Sequence, residues 1–315
     1  MASAKPDFAL PPQTVLHAHY LLGDTLGGGA LGITYRAVQL DAPARGRVVA
    51  VKEFFPRALA VRATDGSVQP MPKGAADFAL YCARFVRGYR FLHAKANCPP
   101  LVPLLDLFEQ NGTAYVVMAY IEGETLAQRV KAHGAIPPRA LMRMMRPFLH
   151  DLAALHQRKI IHRAIMPRNI LLRGENPPIL LDFGGARPED DWPLRRCPVL
   201  RGRGYLPPEQ ICQSRQGSWT DVYALCATMY YALTAKEPAD ALERLFAAKT
   251  GKDEPLVPIR TLCPKLPRKQ ADALMAGLSL DSAARPADFA ALESALYGSK
   301  IPHFAFRIPN WCARK

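Results

Sequence analysis

An α+β fold of two lobes, a β-rich N-lobe followed by a helical C-lobe, is what this sequence predicts. Three observations carry that expectation. Between Tyr20 and about residue 120, apolar residues alternate or run β-branched and aromatic, which is the pattern of strands. After Gly123 they recur at three- and four-residue steps, the period of helices. With 315 residues, 49% of them apolar, the chain exceeds a small module and suffices for a sizeable core.

Taken in order, residues 1–19, with Pro6, Pro11 and Pro12, read as an N-terminal extension. Strands are expected over 33–37 and 49–55, and again over 114–120. Residues 62–74, rich in Gly, Pro, Asp and Ser, read as a loop. A helix over 75–95 follows from Phe78, Tyr81, Cys82, Phe85, Tyr89 and Leu92 at helical steps. Further helices are expected over 125–133, 138–157, 220–234, 240–249, 268–277 and 287–297, most of them separated by Pro or Gly. The apolar stretch 222–235 is too short, and too interrupted by hydroxyls, to span a bilayer, so it reads as a buried core helix. Residues 298–315 form a tail in which Phe304, Phe306 and Trp311 stand among Arg and Lys; packing on the C-lobe and presentation to a partner are both open. No fixed-period repeat is present.

Charge sets the classes of partner. The 41 Lys and Arg exceed the 27 Asp and Glu, a formal net charge of +14, so phosphates, nucleic acid and anionic surfaces all come into question. No nucleic-acid recognition module emerges from the sequence, and none of that class is expected as a partner. The first 13 residues lack a basic region followed by an apolar core, so they do not read as a secretory signal. Seven scattered cysteines without a C-x-x-C pair argue against a disulfide framework or a structural zinc site, and for a reducing, cytoplasmic setting. The histidines show no metal-ligand spacing.

Four motifs bear chemistry. Gly27-Gly28-Gly29-Ala30-Leu31-Gly32 is a G-x-G-x-x-G. Because the chain continues into Ile33-Thr34-Tyr35 as a strand rather than a helix, it reads as a glycine-rich hairpin over phosphates; a plain turn is the alternative for such a cluster in isolation. Val49-Ala50-Val51-Lys52 puts a lysine at the end of an apolar strand, matching the V-A-I-K pattern. Leu181-Asp182-Phe183-Gly184 follows later, preceded by His162-Arg163-Ala164-Ile165-Met166-Pro167-Arg168-Asn169. In order and spacing these four resemble the Hanks-type, eukaryotic-like Ser/Thr protein kinases, over roughly residues 20–297. Gly32-Ile33-Thr34-Tyr35, Lys52-Glu53-Phe54-Phe55-Pro56, Gly204-Tyr205-Leu206-Pro207-Pro208-Glu209-Gln210 and Thr220-Asp221-Val222-Tyr223 look especially like the bacterial branch.

The resemblance implies a protein-kinase-like fold and a division into an N-lobe (20–118), a hinge (119–122) and a C-lobe (123–297). It implies that Gly27, Gly28, Gly29 and Gly32 cover nucleotide phosphates and that Lys52 contacts them. Met118 becomes the gatekeeper, and Ala119 to Ile121 the hinge that meets adenine through backbone groups. Asn169 and Asp182 would hold magnesium, making ATP and Mg2+ the expected ligands. Glu209 would pair with Arg285, and Asp221 would anchor the catalytic loop.

Departures from the family pattern decide the functional expectation. Ala164 stands where the catalytic aspartate should be and can neither orient a hydroxyl nor take its proton. Met166 replaces the loop lysine, and no Asp or Glu lies between Leu152 and Arg173. Aligning Arg84-Phe85 with the family's helix puts Gly88 at the glutamate that normally pairs with the strand lysine. Asp77, the only acid between Lys73 and Leu105, lies about 16 Å away along a helix. Lys52 is then left to pair with Asp182 or directly with phosphate. Residues 183–204 contain no Ser, Thr or Tyr, and Gly202 stands where the family usually has a threonine. Glu189-Asp190-Asp191 either pairs with Arg163 in imitation of phosphate or is a solvated charge run. The expectation is a pseudokinase that binds ATP and Mg2+ and acts as a scaffold or allosteric regulator of a protein partner, either an active kinase or an acidic surface. Two readings stand beside it: an atypical kinase or other nucleotide-dependent transferase using Lys52, Asn169 and Asp182, and an interaction module that binds no nucleotide.

Overall fold

The N-lobe is built on a six-stranded antiparallel sheet in the order β1-β2-β3-β4-β8-β7. Its strands are β1 (Val15–Leu16), β2 (Tyr20–Gly28), β3 (Gly32–Gln39) and β4 (Arg47–Phe54), followed after a small hairpin of β5 (Ala60–Arg62) and β6 (Val68–Pro70) by helix α1 (Ala75–His93), β7 (Leu104–Gln110) and β8 (Thr113–Ala119). The computed structural model describes residues 8–41, 46–94, 100–182, 185–188 and 204–298. The expected acidic triplet 189–191, Gly202 and the tail aromatics Phe304, Phe306 and Trp311 lie outside these residues.

Strand β4 lies between β3 and β8, with Lys52 opposite Thr34 on one side and Val116 on the other. Because side chains alternate along a strand, Ala50, Lys52 and Phe54 share one face while Val51 and Glu53 share the other. Helix α1 packs on the first face, where the Phe54 ring lies 5.4 Å from Phe78 and 5.3 Å from Phe85. On the second, Glu53 is fully buried and accepts hydrogen bonds from Arg62 at 2.8 and 2.6 Å, Tyr35 at 2.9 Å and Tyr115 at 2.8 Å. A buried carboxylate paired and hydrogen-bonded in this way avoids the cost of an isolated charge, and it pins β4 so that Lys52 faces the cleft.

Two elements differ from the sequence reading. The stretch 62–74 contains strand β6, and Arg62 ends β5; the hairpin turns at Gly66, whose φ of +85° suits glycine, and pairs Arg62 with Val68. Residues ahead of Tyr20 pack into the N-lobe from Phe8 onward. Leu10 and Leu16 are buried, the Leu10 N–H donates to the Tyr35 hydroxyl, and Phe8 stacks on Phe55 at 6.1 Å. The reason is a sheet face that α1 does not cover, which needs apolar cover of its own.

The C-lobe begins with β9 (Glu124–Thr125) and α2 (Leu126–His133), capped by a reciprocal Thr125–Gln128 pair. Then come α3 (Pro138–Gln157), β10 (Ile160–Ile161), β11 (Ile170–Arg173), β12 (Asn176–Leu180) and β13 (Arg187–Pro188). Helices α4 (Pro208–Ile211), α5 (Ser218–Thr234), α6 (Ala241–Thr250), α7 (Ile259–Leu262), α8 (Arg268–Gly277) and α9 (Phe289–Tyr297) complete it. Helix α5 is the buried core helix the sequence predicts: Val222, Tyr223, Leu225, Cys226 and Met229 are all fully buried. Among the described residues, no helix is long and apolar enough to cross a membrane.

Candidate functional site between the lobes

A cavity of about 720 Å³ opens between the lobes. The glycine turn joining β2 to β3 forms its roof, Lys52 its back wall, and the end of β8 one side. Every nucleotide- or metal-site residue expected from the sequence lines it: Gly27, Gly28, Gly29, Gly32, Lys52, Met118, Ala119, Ile121, Asn169 and Asp182. So do Ala164 and Met166. Gly88 does not; it is buried within α1.

The glycines do different things. A Cβ at Gly32 would stand 2.3 Å from the Glu53 carbonyl oxygen, so this glycine lets the roof approach β4. A Cβ at Gly27 meets nothing within 4 Å, which leaves that face open toward the cavity. Gly32→Ala is therefore expected to destabilise the N-lobe by about 1–3 kcal/mol, the cost of forced overpacking, while Gly27→Ala leaves the thermal midpoint nearly unchanged. Equal midpoints for the two variants would refute the distinction.

Lys52 is buried and bonded to the Asp182 carboxylate. Burial alone would lower its pKa, but Asp182, together with the Tyr89 hydroxyl, raises it, so the ammonium stays charged. Tyr89, one position beyond Gly88 on α1, is thus among the groups that act on that ammonium. One residue turns a helix by about 100°, and the packing of Tyr89 on Phe85, with ring centroids 4.7 Å apart, fixes the phase. Of the two partners that the sequence leaves open for Lys52, the structure shows Asp182.

The catalytic-loop segment is held from below. Asp221 of α5 accepts the backbone N–H groups of His162 and Arg163, both at 2.7 Å, and lies 3.2 Å from His156 Nε2. Although burial would raise it, the neighbouring histidines and these hydrogen bonds hold the Asp221 carboxyl below its usual range. Burial lowers the pKa of His162, so its ring is neutral near pH 7 and Nδ1 accepts the Ala164 N–H at 3.3 Å. Arg163 and Asp182 both sit at left-handed backbone angles, φ +64° and +60°, a strain of about 1–3 kcal/mol each that surrounding contacts must hold. The Asn169 side-chain amide donates to the Ala164 carbonyl at 2.8 Å, leaving its Oδ1 as an acceptor. The Ala164 side chain, a methyl group, offers no proton acceptor to the cavity.

Sequence reasoning missed the contribution of α1. Tyr81, Arg84 and Phe85 line the cavity as well, and their helical spacing marks only an inward face. Gln210 and Gln216 line its C-lobe side, with Gln210 Nε2 donating to the Arg163 carbonyl at 3.0 Å; no sequence signal singled them out.

A family model described as "Protein kinase domain" matches residues 20–274. The chain is 29% identical over 236 residues to the serine/threonine-protein kinase PknA of Nostoc, covering 72% of this chain and 39% of that protein. It is 31% identical over 307 residues to the serine/threonine-protein kinase pkn2 of Myxococcus xanthus, covering 94% of this chain and 34% of that protein. It therefore spans between a third and two fifths of the length of these curated relatives. Among solved structures, one titled "PpkA-294 apo form" superposes with a TM-score of 0.76 at 26% identity, over 92% of this chain and all of that one.

Proposed function

From the chain's membership of the protein kinase family, with bacterial Ser/Thr kinases among its relatives, we propose that it is a pseudokinase: a nucleotide-binding kinase fold in which protein phosphotransfer is lost or marginal. In this reading, residues 20–297 form the kinase-like domain, hinged at 119–122. It acts on a protein partner by binding, as scaffold or allosteric regulator. The single observation that carries this is Ala164: beside Asn169, where a base would serve, the described lining holds a methyl group, and Asp182 is its only acid. Positioned acid–base groups contribute about 10²–10⁴-fold, so transfer falls far below the roughly 1–100 per second of protein kinases. Met166 in place of the loop lysine, and Gly88 in place of the helix acid, lower it further.

The residues present fit a nucleotide and a hard cation. Asn169 Oδ1 and the Asp182 carboxylate are oxygen donors of the type Mg2+ takes together with phosphate oxygens and water. Bound there, the ion would neutralise phosphate charge. Gly27, Gly28 and Gly29 would lie over the phosphates and Lys52 would contact them. The Ala119 N–H is already donated to the Pro103 carbonyl at 2.9 Å, so adenine would be met by other backbone groups of the hinge, among them those of Ile121. Met118 closes the inner end.

The test is a thermal-shift titration. Saturating MgATP should stabilise the protein, by about 2.7 kcal/mol at one hundred times Kd, and Asp182→Ala should diminish that shift. No shift at millimolar ligand would leave only an interaction module that binds no nucleotide. A second reading has its own support, since Lys52, Asn169 and Asp182 converge on one cavity: a transferase with atypical geometry. Metal-dependent phosphoryl or adenylyl adducts on a partner, seen by mass spectrometry and abolished by Asp182→Ala, would establish it instead.

A further inference from the structure

Thr34 lines the cavity, yet the nucleotide reading gives it no role. It lies in β3 between Gly27 of β2 and Lys52 of β4, its direct partners in the two neighbouring ladders. Residues opposite one another in antiparallel strands carry their side chains on one face, with Cβ atoms about 4.5–5.5 Å apart. Gly27, Thr34 and Lys52 all line the cavity, while the flanking Ile33 and Tyr35 are fully buried on the other face of the sheet. A glycine, a hydroxyl and a lysine thus stand abreast. A Cβ at Gly27 would meet nothing within 4 Å, so the glycine leaves the hydroxyl uncovered on that side. On the other side, the Lys52 ammonium is bonded to Asp182. The Thr34 side chain is half-buried, and its hydroxyl has no hydrogen-bond partner among the described residues. Strand formation does not need that hydroxyl, since valine fills a pleated position equally well.

We propose that Thr34 is a specificity-determining residue of the nucleotide site, its hydroxyl donating to an oxygen of the sugar-proximal phosphate. This rests on the nucleotide reading above and adds a contact to it. Position along the sheet supplies the reason. Met118 and Ala119, at the hinge, lie opposite Ala50 and Val49, two and three residues back along β4 from Lys52. A nucleotide running from the hinge toward Asp182 passes the level of Thr34 before it reaches the lysine ammonium. Reach separates the two donors as well. Threonine carries its hydroxyl on Cβ, and branching there leaves few rotamers, so the donor stays close to the strand. The lysine arm extends onward beneath the glycine turn, where a Cβ at Gly32 would lie 3.7 Å from Lys52 Cε. The sugar-proximal phosphate is therefore the one that the short arm meets, through a hydrogen bond strengthened by the phosphate charge.

Isothermal titration of the full chain with MgATP and with MgADP tests this, well below the melting midpoints of the unliganded proteins. Thr34→Val keeps the branched shape and the strand preference and removes only the hydroxyl. It should raise both dissociation constants by about tenfold, the loss expected for a hydrogen bond to a charged group. Thr34→Ser, which keeps the hydroxyl, should stay within about threefold of wild type. A valine variant that binds like wild type, or tighter, overturns the proposal, because threonine then serves only as apolar cover. An equal loss in the valine and serine variants overturns it too, since shape and not the hydroxyl would carry the effect. A loss with MgATP but not with MgADP overturns the placement at the sugar-proximal phosphate. Each of these three results leaves the nucleotide reading intact. A wild-type protein that binds neither nucleotide overturns both.

Discussion

Replacing Arg285 by alanine is expected to destabilise the folded chain by about 3–5 kcal/mol, seen as a lowered urea midpoint. Its guanidinium donates to both oxygens of Glu209, at 2.7 and 3.1 Å, and to the carbonyls of Ser279 and Leu280. The arginine side chain is fully buried and the glutamate 7% exposed. Truncation leaves a carboxylate deep in the C-lobe with only the Thr220 hydroxyl at 3.0 Å for a partner. It also removes the cation stacked on the Tyr223 ring at 5.0 Å. The surface pair Arg268–Asp272, at 3.7 Å and largely exposed, is the control; Arg268→Ala should cost under about 0.5 kcal/mol. If both variants lose equally little, burial does not govern the Glu209 pair.

The second large effect concerns chemistry. Ala164→Asp, Met166→Lys and Gly88→Glu introduced together should raise transfer of the ATP γ-phosphoryl to a serine peptide by about 10²–10⁴-fold over wild type. The aspartate would stand beside Asn169 in a loop already anchored by Asp221, and the glutamate would face Lys52 from α1. Single variants should gain much less, because groups that act as a unit are not additive. Sharing Lys52 between Asp182 and the introduced glutamate would also leave Asp182 freer to act on other ligands. A wild-type protein that already turns over at ordinary kinase rates, dependent on Asp182, would displace the pseudokinase proposal.

Much of the site was legible because its chemistry is written as residue identity at fixed spacing. The glycine turn, Lys52, Asn169 and Asp182 meet in one cavity, and Ala164 lines it with them. Helix α8 runs over the 268–277 of the sequence reading, and the strand carrying Lys52 is central, because strong periodicity survives folding. The place of the absent helix acid was less legible. Counting along α1 gives Gly88, and the phase of the helix is set by what it packs against, through the Phe54–Phe85–Tyr89 contacts. The same limit hid Arg84, whose spacing marks only a face.

Taken alone, the +14 charge admits any anionic partner; the structure sets part of it around one cleft, through Arg84, Arg163 and Arg168. Residue order carried the two-lobed kinase fold, the order of its motifs and the alanine at 164, since these depend on which residue follows which. Only the folded chain shows that Lys52 pairs with Asp182 and that Phe8 and Leu10 pack on the sheet face behind Glu53. Each of these is a contact between segments far apart in sequence, fixed by helix phase, strand register and the need to satisfy buried charge.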